Sequence, residues 1–197
     1  MSYDGGYCFL KSGIVNKSMS IGTNNNNIIC GLQSSITTTT STITTTILPF
    51  YGVQNNVARS QLNEYTIVYD VSYSSVTTDL IINNIKITCT SSTSLCFGCY
   101  NSNNPNNILT VACGRCLDVL TYTIKNSPYY SNGVYWYFTS SNSIGYSSLN
   151  DINQNSCDTT DGISPNKKVC WHLGGSDGWR CGSNKDDNSF NKIIFKK

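Results

Sequence analysis

With 197 residues the chain can bury one sizeable core, or two small ones that share an interface. Only 12% of its residues are charged and the net charge is +2, too weak a field to hold nucleic acid or a membrane surface by charge alone, so neither partner is expected. Asn, Ser and Thr, more than a third of the chain, carry the solubility; they favour turns and strands over helices, and with Glu64 the single glutamate the class reads as all-β.

The first twenty residues, MSYDGGYCFLKSGIVNKSMS, lack the basic start and apolar run of a secretory signal. No segment has the roughly 18 apolar residues of a membrane-spanning helix. Yet 10 cysteines exceed the usual content of a protein kept in a reducing compartment. Three readings accommodate this: a mature fragment, a zinc protein, or a protein oxidised late in an assembled particle or coat. One sequon, Asn16-Lys17-Ser18, stands where chance would give roughly six, which disfavours heavy N-glycosylation.

Short strands are expected at Tyr7–Leu10 and Ile28–Leu32, with Asn24–Asn27 turning between them; Cys8 and Cys30 either pair or remain buried thiols. The Thr- and Ile-rich run 34–48 is stiff at χ1 and reads as an extended edge strand, with an O-glycosylated stalk as the alternative. Glu64–Tyr73 alternates with period two, Tyr65, Ile67, Tyr69 and Val71 on one face, and Leu80–Thr90 reads as a second strand bent at Asn83-Asn84.

Half of the cysteines fall between Cys89 and Cys116. Cys96, Cys99, Cys113 and Cys116 form a CxxC…CxxC pair, which suits two thiolate-bearing turns closing one structural zinc, or two disulfide staples on neighbouring turns, Cys96–Cys116 and Cys99–Cys113, with bridges to Cys89 as a variant. A closed four-thiolate site would leave no open position for water, so a zinc there would be structural. Asn101–Asn107 is a turn, Ile108–Ala112 a strand, and Leu117–Ile124 the next strand.

Aromatic residues dominate the last third. Gly133–Thr139 is a strand with aromatics on both faces; residues 147–167 form a polar loop whose Asp151, Asp158 and Asp161 offer oxygen ligands without an EF-hand spacing; Asn191–Phe195 is a final strand. In KVCWHLGGSDGWRCG, a hairpin centred on Gly175-Ser176 would oppose Cys170 to Cys181, Trp171 to Arg180 and His172 to Trp179. That register makes Cys170–Cys181 a candidate disulfide and Trp171 over Arg180 a cation–π contact. Tyr135, Trp136, Tyr137, Trp171 and Trp179 form a sugar-stacking platform if they share an exposed face, and Trp136, Trp171, Trp179 and Arg180 are the candidate ligand-binding residues; the rival reading puts these aromatics in a sandwich core. His172, the single histidine, is explained by packing beside Cys170, and no catalytic residue is assigned.

The sequence therefore predicts a single all-β domain over 1–197, an antiparallel β-sandwich or jelly-roll with a Cys-rich turn insertion, divisible into a polar part, 1–126, and an aromatic part, 127–197. The expected function is a structural or adhesive surface or coat protein that works through sheet edges and faces, with copies of itself or a coat protein as partner and no enzymatic activity. A carbohydrate-binding module is the first alternative. An intracellular, cytoplasmic zinc-ribbon interaction protein, with one structural zinc as its cofactor, is the second. The expected location is an extracellular surface or a virion.

Overall fold

The structure is a computed structural model that describes residues 48–150, 152–154, 158–159, 166–175, 178–185 and 188–197, and the backbone of four short strands before them. The chain divides into two compact units, Met1–Ile43 and Thr44–Lys197. In the first, β1 (Ser2–Asp4) pairs with β2 (Tyr7–Phe9), and β3 (Ser20–Asn24) with β4 (Asn27–Gly31), both antiparallel. The expected strands at Tyr7–Leu10 and Ile28–Leu32 are β2 and β4. Pairing of Cys8 with Cys30, the strand over 34–48 before its last residue, and ligation by Asp151, Asp158 and Asp161 lie outside the described residues and side chains.

The second unit is a sandwich of two antiparallel sheets. Sheet I runs β5 (Val53–Ala58), β8 (Asn107–Arg115), β7 (Ser94–Asn101), β17 (Phe190–Lys196), β6 (Thr66–Ser72). Sheet II runs β16 (Asn184–Lys185), β15 (Trp179–Cys181), β14 (Lys168–His172), β11 (Ser143–Ser147), β10 (Val134–Thr139), β9 (Tyr129–Ser131), and a two-residue ladder joins β12 (Ile152–Asn153) to β13 (Asp158–Thr159). The division expected near residue 126 does not separate the two sheets, because β17, in the expected aromatic part, belongs to sheet I. The last strand, β17, returns to the middle of sheet I, between β7 and β6.

Period-two alternation decides what lies between the sheets. From sheet I, Phe97, Cys99, Phe190 and Ile194 point inward; from sheet II, Trp136, Phe138, Tyr146, Trp171 and Trp179 meet them. Phe97 stacks on Trp171 with centroids 4.0 Å apart and stands edge-on to Tyr146 at 5.9 Å. Each such aromatic removes on the order of 150–250 Å² from water, so this layer is the main source of stability. The outer face of sheet I is covered in its turn: Val57, Leu62, Tyr100, Val111, Ile193 and Phe195 form a second buried cluster beneath β5 and the 3-10 turn Arg59–Leu62.

Two expected strands are helices. Leu80–Thr90 begins with α1 (Asp79–Lys86): the Thr78 hydroxyl accepts from Ile81 N–H, Asp79 sits in the first turn and Lys86 in the last, both favourable to the helix dipole, and Ile82 and Ile85 turn into the core. Burial on a 3.6 period overrides the β propensity of three isoleucines. Leu117–Ile124 likewise begins with a single turn, α2 (Cys116–Val119), whose Val119 is buried against the core while Leu117 is exposed. The 80–90 error had a visible warning in Thr78-Asp79, a good helix start.

Candidate functional site

Three of the four cysteines assigned to turns, Cys96, Cys99 and Cys113, occupy strands, and this separates them. An i, i+3 spacing brings two side chains together on a turn but sends them to opposite faces of a strand. On β7, Cys96 points to the outer face of sheet I, where it bridges to Cys113 directly opposite on β8 with Cα atoms 4.0 Å apart. Cys99 points into the core and bridges to Cys181 on β15, Cα–Cα 5.8 Å, joining the two sheets. Cys116, on α2, bridges to Cys89 beyond α1, Cα–Cα 5.7 Å. The disulfide alternative thus describes these cysteines in this structure, with Cys89 included, although neither the Cys96–Cys116 nor the Cys99–Cys113 pairing occurs. Among the described residues no group of three or more His, Cys, Asp or Glu side chains is placed to hold a metal.

The hairpin from Cys170 to Cys181 is shifted by one residue from the expected register. Cys170 lies opposite Arg180, Trp171 opposite Trp179, and Val169 opposite Cys181. A one-residue slip exchanges the two faces of a strand. Here it turns Trp179 and Cys181 into the core and moves Arg180 to the outer face beside Cys170. The predicted Cys170–Cys181 bridge is therefore replaced by Cys99–Cys181, and Cys170 belongs to another disulfide whose partner lies outside the described residues. A bridged sulfur is no thiolate, so Cys170 and His172 do not form a nucleophilic pair. The ring of His172 packs over Gly178, at the edge of a small polar cavity that Lys125, Asn142 and Gln154 also line.

Trp136, Trp171 and Trp179 are buried at 1%, 0% and 3% exposure, and Arg180 at 5%, so none offers a face to a ligand. Arg180 is buried on the outer side of sheet II beside Cys170, and the three tryptophans belong to the sandwich core. What they surround was missed in the sequence: Lys192, fully buried on β17, points into the space between the sheets from between Phe190 and Ile194. Its Nζ donates to Ser75 O at 2.6 Å and to Thr77 Oγ1 at 2.9 Å, and lies 4.7 Å from the ring centre of Trp179, 5.9 Å from Tyr73 and 6.0 Å from Trp171. No carboxylate among the described residues pairs with it. Burial alone pushes its pKa down to about 7. The signal available beforehand was a lysine between apolar residues two positions away on either side, on a strand buried on both faces.

The exposed features lie elsewhere. Between β6 and α1 runs an open groove of about 410 Å³ lined by Val68, Ile81, Asn84, Ile85, Thr88 and Lys196. Val68 is the extra residue of a bulge, because Ile194 pairs with Tyr69 and Phe195 with Ile67. Around the groove Ile67 and Val68 are 40% and 38% exposed, and Leu80 in the first turn of α1 and Ile87, the residue that caps its C-terminus, are 69% and 79% exposed. Among the described residues β6 pairs only with β17, so its other edge is open. This is a largely apolar surface at a sheet edge, with Lys196 the charged residue among its lining.

No family model, curated protein or solved structure matches this chain. The three disulfides among the described residues point to an oxidising, extracellular setting. No helix among the described residues is long and apolar enough to cross a membrane.

Proposed function

We propose that the protein is a structural or adhesive component of an extracellular surface or a virion-type coat, and that it associates with a second copy of itself through the β6–α1 side of the sandwich. The observation that carries this reading is the joint exposure of Leu80 and Ile87 beside an apolar groove at an open strand edge. A helix that served only its own core would present polar residues at these positions. The same face holds both projecting side chains and a recess, so a two-fold arrangement lets Leu80 or Ile87 of each copy enter the groove of the other. The disulfide-stapled core supports a role in which the sandwich is a durable scaffold.

Sedimentation velocity over a concentration series tests it. Wild type is expected to shift from monomer to dimer as concentration rises, whereas Leu80→Lys and Ile87→Lys, both at exposed positions, remain monomeric with unchanged melting temperature. A wild type that stays monomeric throughout, or lysine variants that dimerise as readily, would remove the reading.

A further inference from the structure

A second exposed feature stands at the opposite edge of the protein's aromatic sheet, on β9. Tyr130 on β9 and Tyr135 on β10 are directly opposed, with ring centroids 4.7 Å apart and planes inclined at 45°. By alternation with the inward Val134, Trp136 and Phe138, Tyr135 and its partner point to the outer face of sheet II. Tyr51, just before β5, completes the group: its hydroxyl lies beside that of Tyr130 and pushes the Tyr130 phenol up, and its ring rests on Gly133, where a Cβ would come within 2.8 Å of ring carbons. Tyr51 is 71% and Tyr130 54% exposed.

The backbone beneath these rings is fixed. Asn132 and Gly133 both have positive φ, 52° and 74°, the conformation of a tight two-residue hairpin turn. The Asn132 side chain donates to Phe50 O at 2.7 Å and Cys113 O at 2.8 Å, and the Asn132 backbone carbonyl accepts from Gly52 N–H at 2.9 Å. One asparagine thus ties the Tyr51 segment, sheet I and the β9–β10 turn together, so the three rings hold their places without a ligand. A ligand meeting them loses little to ordering the protein.

The three side chains are uncharged and amphipathic, apolar rings that end in hydroxyls, and those of Tyr130 and Tyr135 are inclined to each other. An aromatic face of this kind suits the C–H face of a pyranose, whose equatorial hydroxyls then reach the phenolic oxygens. We propose that Tyr51, Tyr130 and Tyr135 form a carbohydrate-binding site for a neutral, β-linked pyranose chain with equatorial hydroxyls. The site is independent of self-association at the β6–α1 side, and of the aromatics that the sequence suggested for this role it keeps Tyr135 and none of the tryptophans.

Titration calorimetry and saturation-transfer NMR on the whole chain, with cellopentaose and chitopentaose as probes and α-linked maltopentaose as control, test the site. A β-linked probe is expected to bind, with saturation transfer to sugar C–H protons. Tyr51→Ala and Tyr130→Ala, both at exposed positions that tolerate truncation, should each weaken binding by about tenfold, as the loss of one stacked ring implies. Tyr130→Phe, which keeps the ring, should stay within about threefold of wild type. Absence of binding to both β-linked probes overturns the proposal, and so do alanine variants that bind like wild type or a control bound as well as the probes.

Discussion

Lys192 Nζ stands 4.7 Å above the ring centre of Trp179, inside the space between the sheets. The amine faces Tyr73, Trp171 and Trp179, bonds to Ser75 and Thr77, and has Val71 and Cys99 as its cross-strand neighbours. Thr77 in turn meets the Tyr69 hydroxyl at 2.8 Å. Every group around it is neutral, so nothing but oxygen lone pairs and ring faces compensates the loss of water.

Stability should therefore depend on pH in one direction. An unfolded lysine titrates near 10.5, whereas Lys192 in the fold titrates at about 7. Between these values the unfolded chain binds more protons, so stability rises with pH by up to about 1.4 kcal/mol per unit and is lowest below about pH 7. Urea unfolding between pH 6 and 9.5 should show this slope in wild type, and Lys192→Met should flatten it. Equal slopes in the two proteins would mean that the amine escapes the core.

The bridges should differ in worth. Closing the 82-residue separation of Cys99–Cys181 constrains the unfolded chain more than the 17-residue separation of Cys96–Cys113, by the chain-entropy model about 4.5 against about 3 kcal/mol. Paired Cys→Ser replacements at each bridge, compared by denaturant midpoint, should place the inter-sheet bridge as the costlier loss.

All six cysteines of the described bridges should be unreactive in the unreduced protein. Alkylation after denaturation without reductant should leave Cys89, Cys96, Cys99, Cys113, Cys116 and Cys181 unlabelled, and the intact mass should carry no zinc. Labelling of Cys96, Cys99, Cys113 and Cys116 on denaturation, together with a native mass heavier by one zinc, would restore the metal reading.

Gly145 should not accept a side chain. It lies on β11 between Tyr137 and Cys170 on its neighbours, where a Cβ would press on Val169 O and come within 2.6 Å of the Tyr137 hydroxyl. Gly145→Ala should cost at least about 2 kcal/mol through displaced backbone, read as a lower melting temperature.

The sequence by itself determined the class. β-Branched and aromatic residues in Glu64–Tyr73, Gly133–Thr139 and Asn191–Phe195 marked strands that the fold contains, but the bulge at Val68 divides the face that alternation gave to Tyr65, Ile67, Tyr69 and Val71: Tyr65 packs on the outer cluster of sheet I and Tyr69 on the core between the sheets. The turn at Asn101–Asn107 was legible for the same local reason: Asn and Pro favour turns whatever surrounds them. What only the tertiary structure decided depended on distant partners. Residues 80–86 form a helix because Ile82 and Ile85 find the core on a 3.6 period. The β14–β15 hairpin slips by one residue because Trp179 and Cys181 have Tyr73 and Cys99 to meet across the sandwich. The cysteine pairs could not be read from CxxC spacing, because that spacing gives proximity on a turn and separation on a strand. The exposed tyrosines emerged only once Tyr51 and Tyr130, far apart in sequence, were brought to the same edge by the Asn132 clamp.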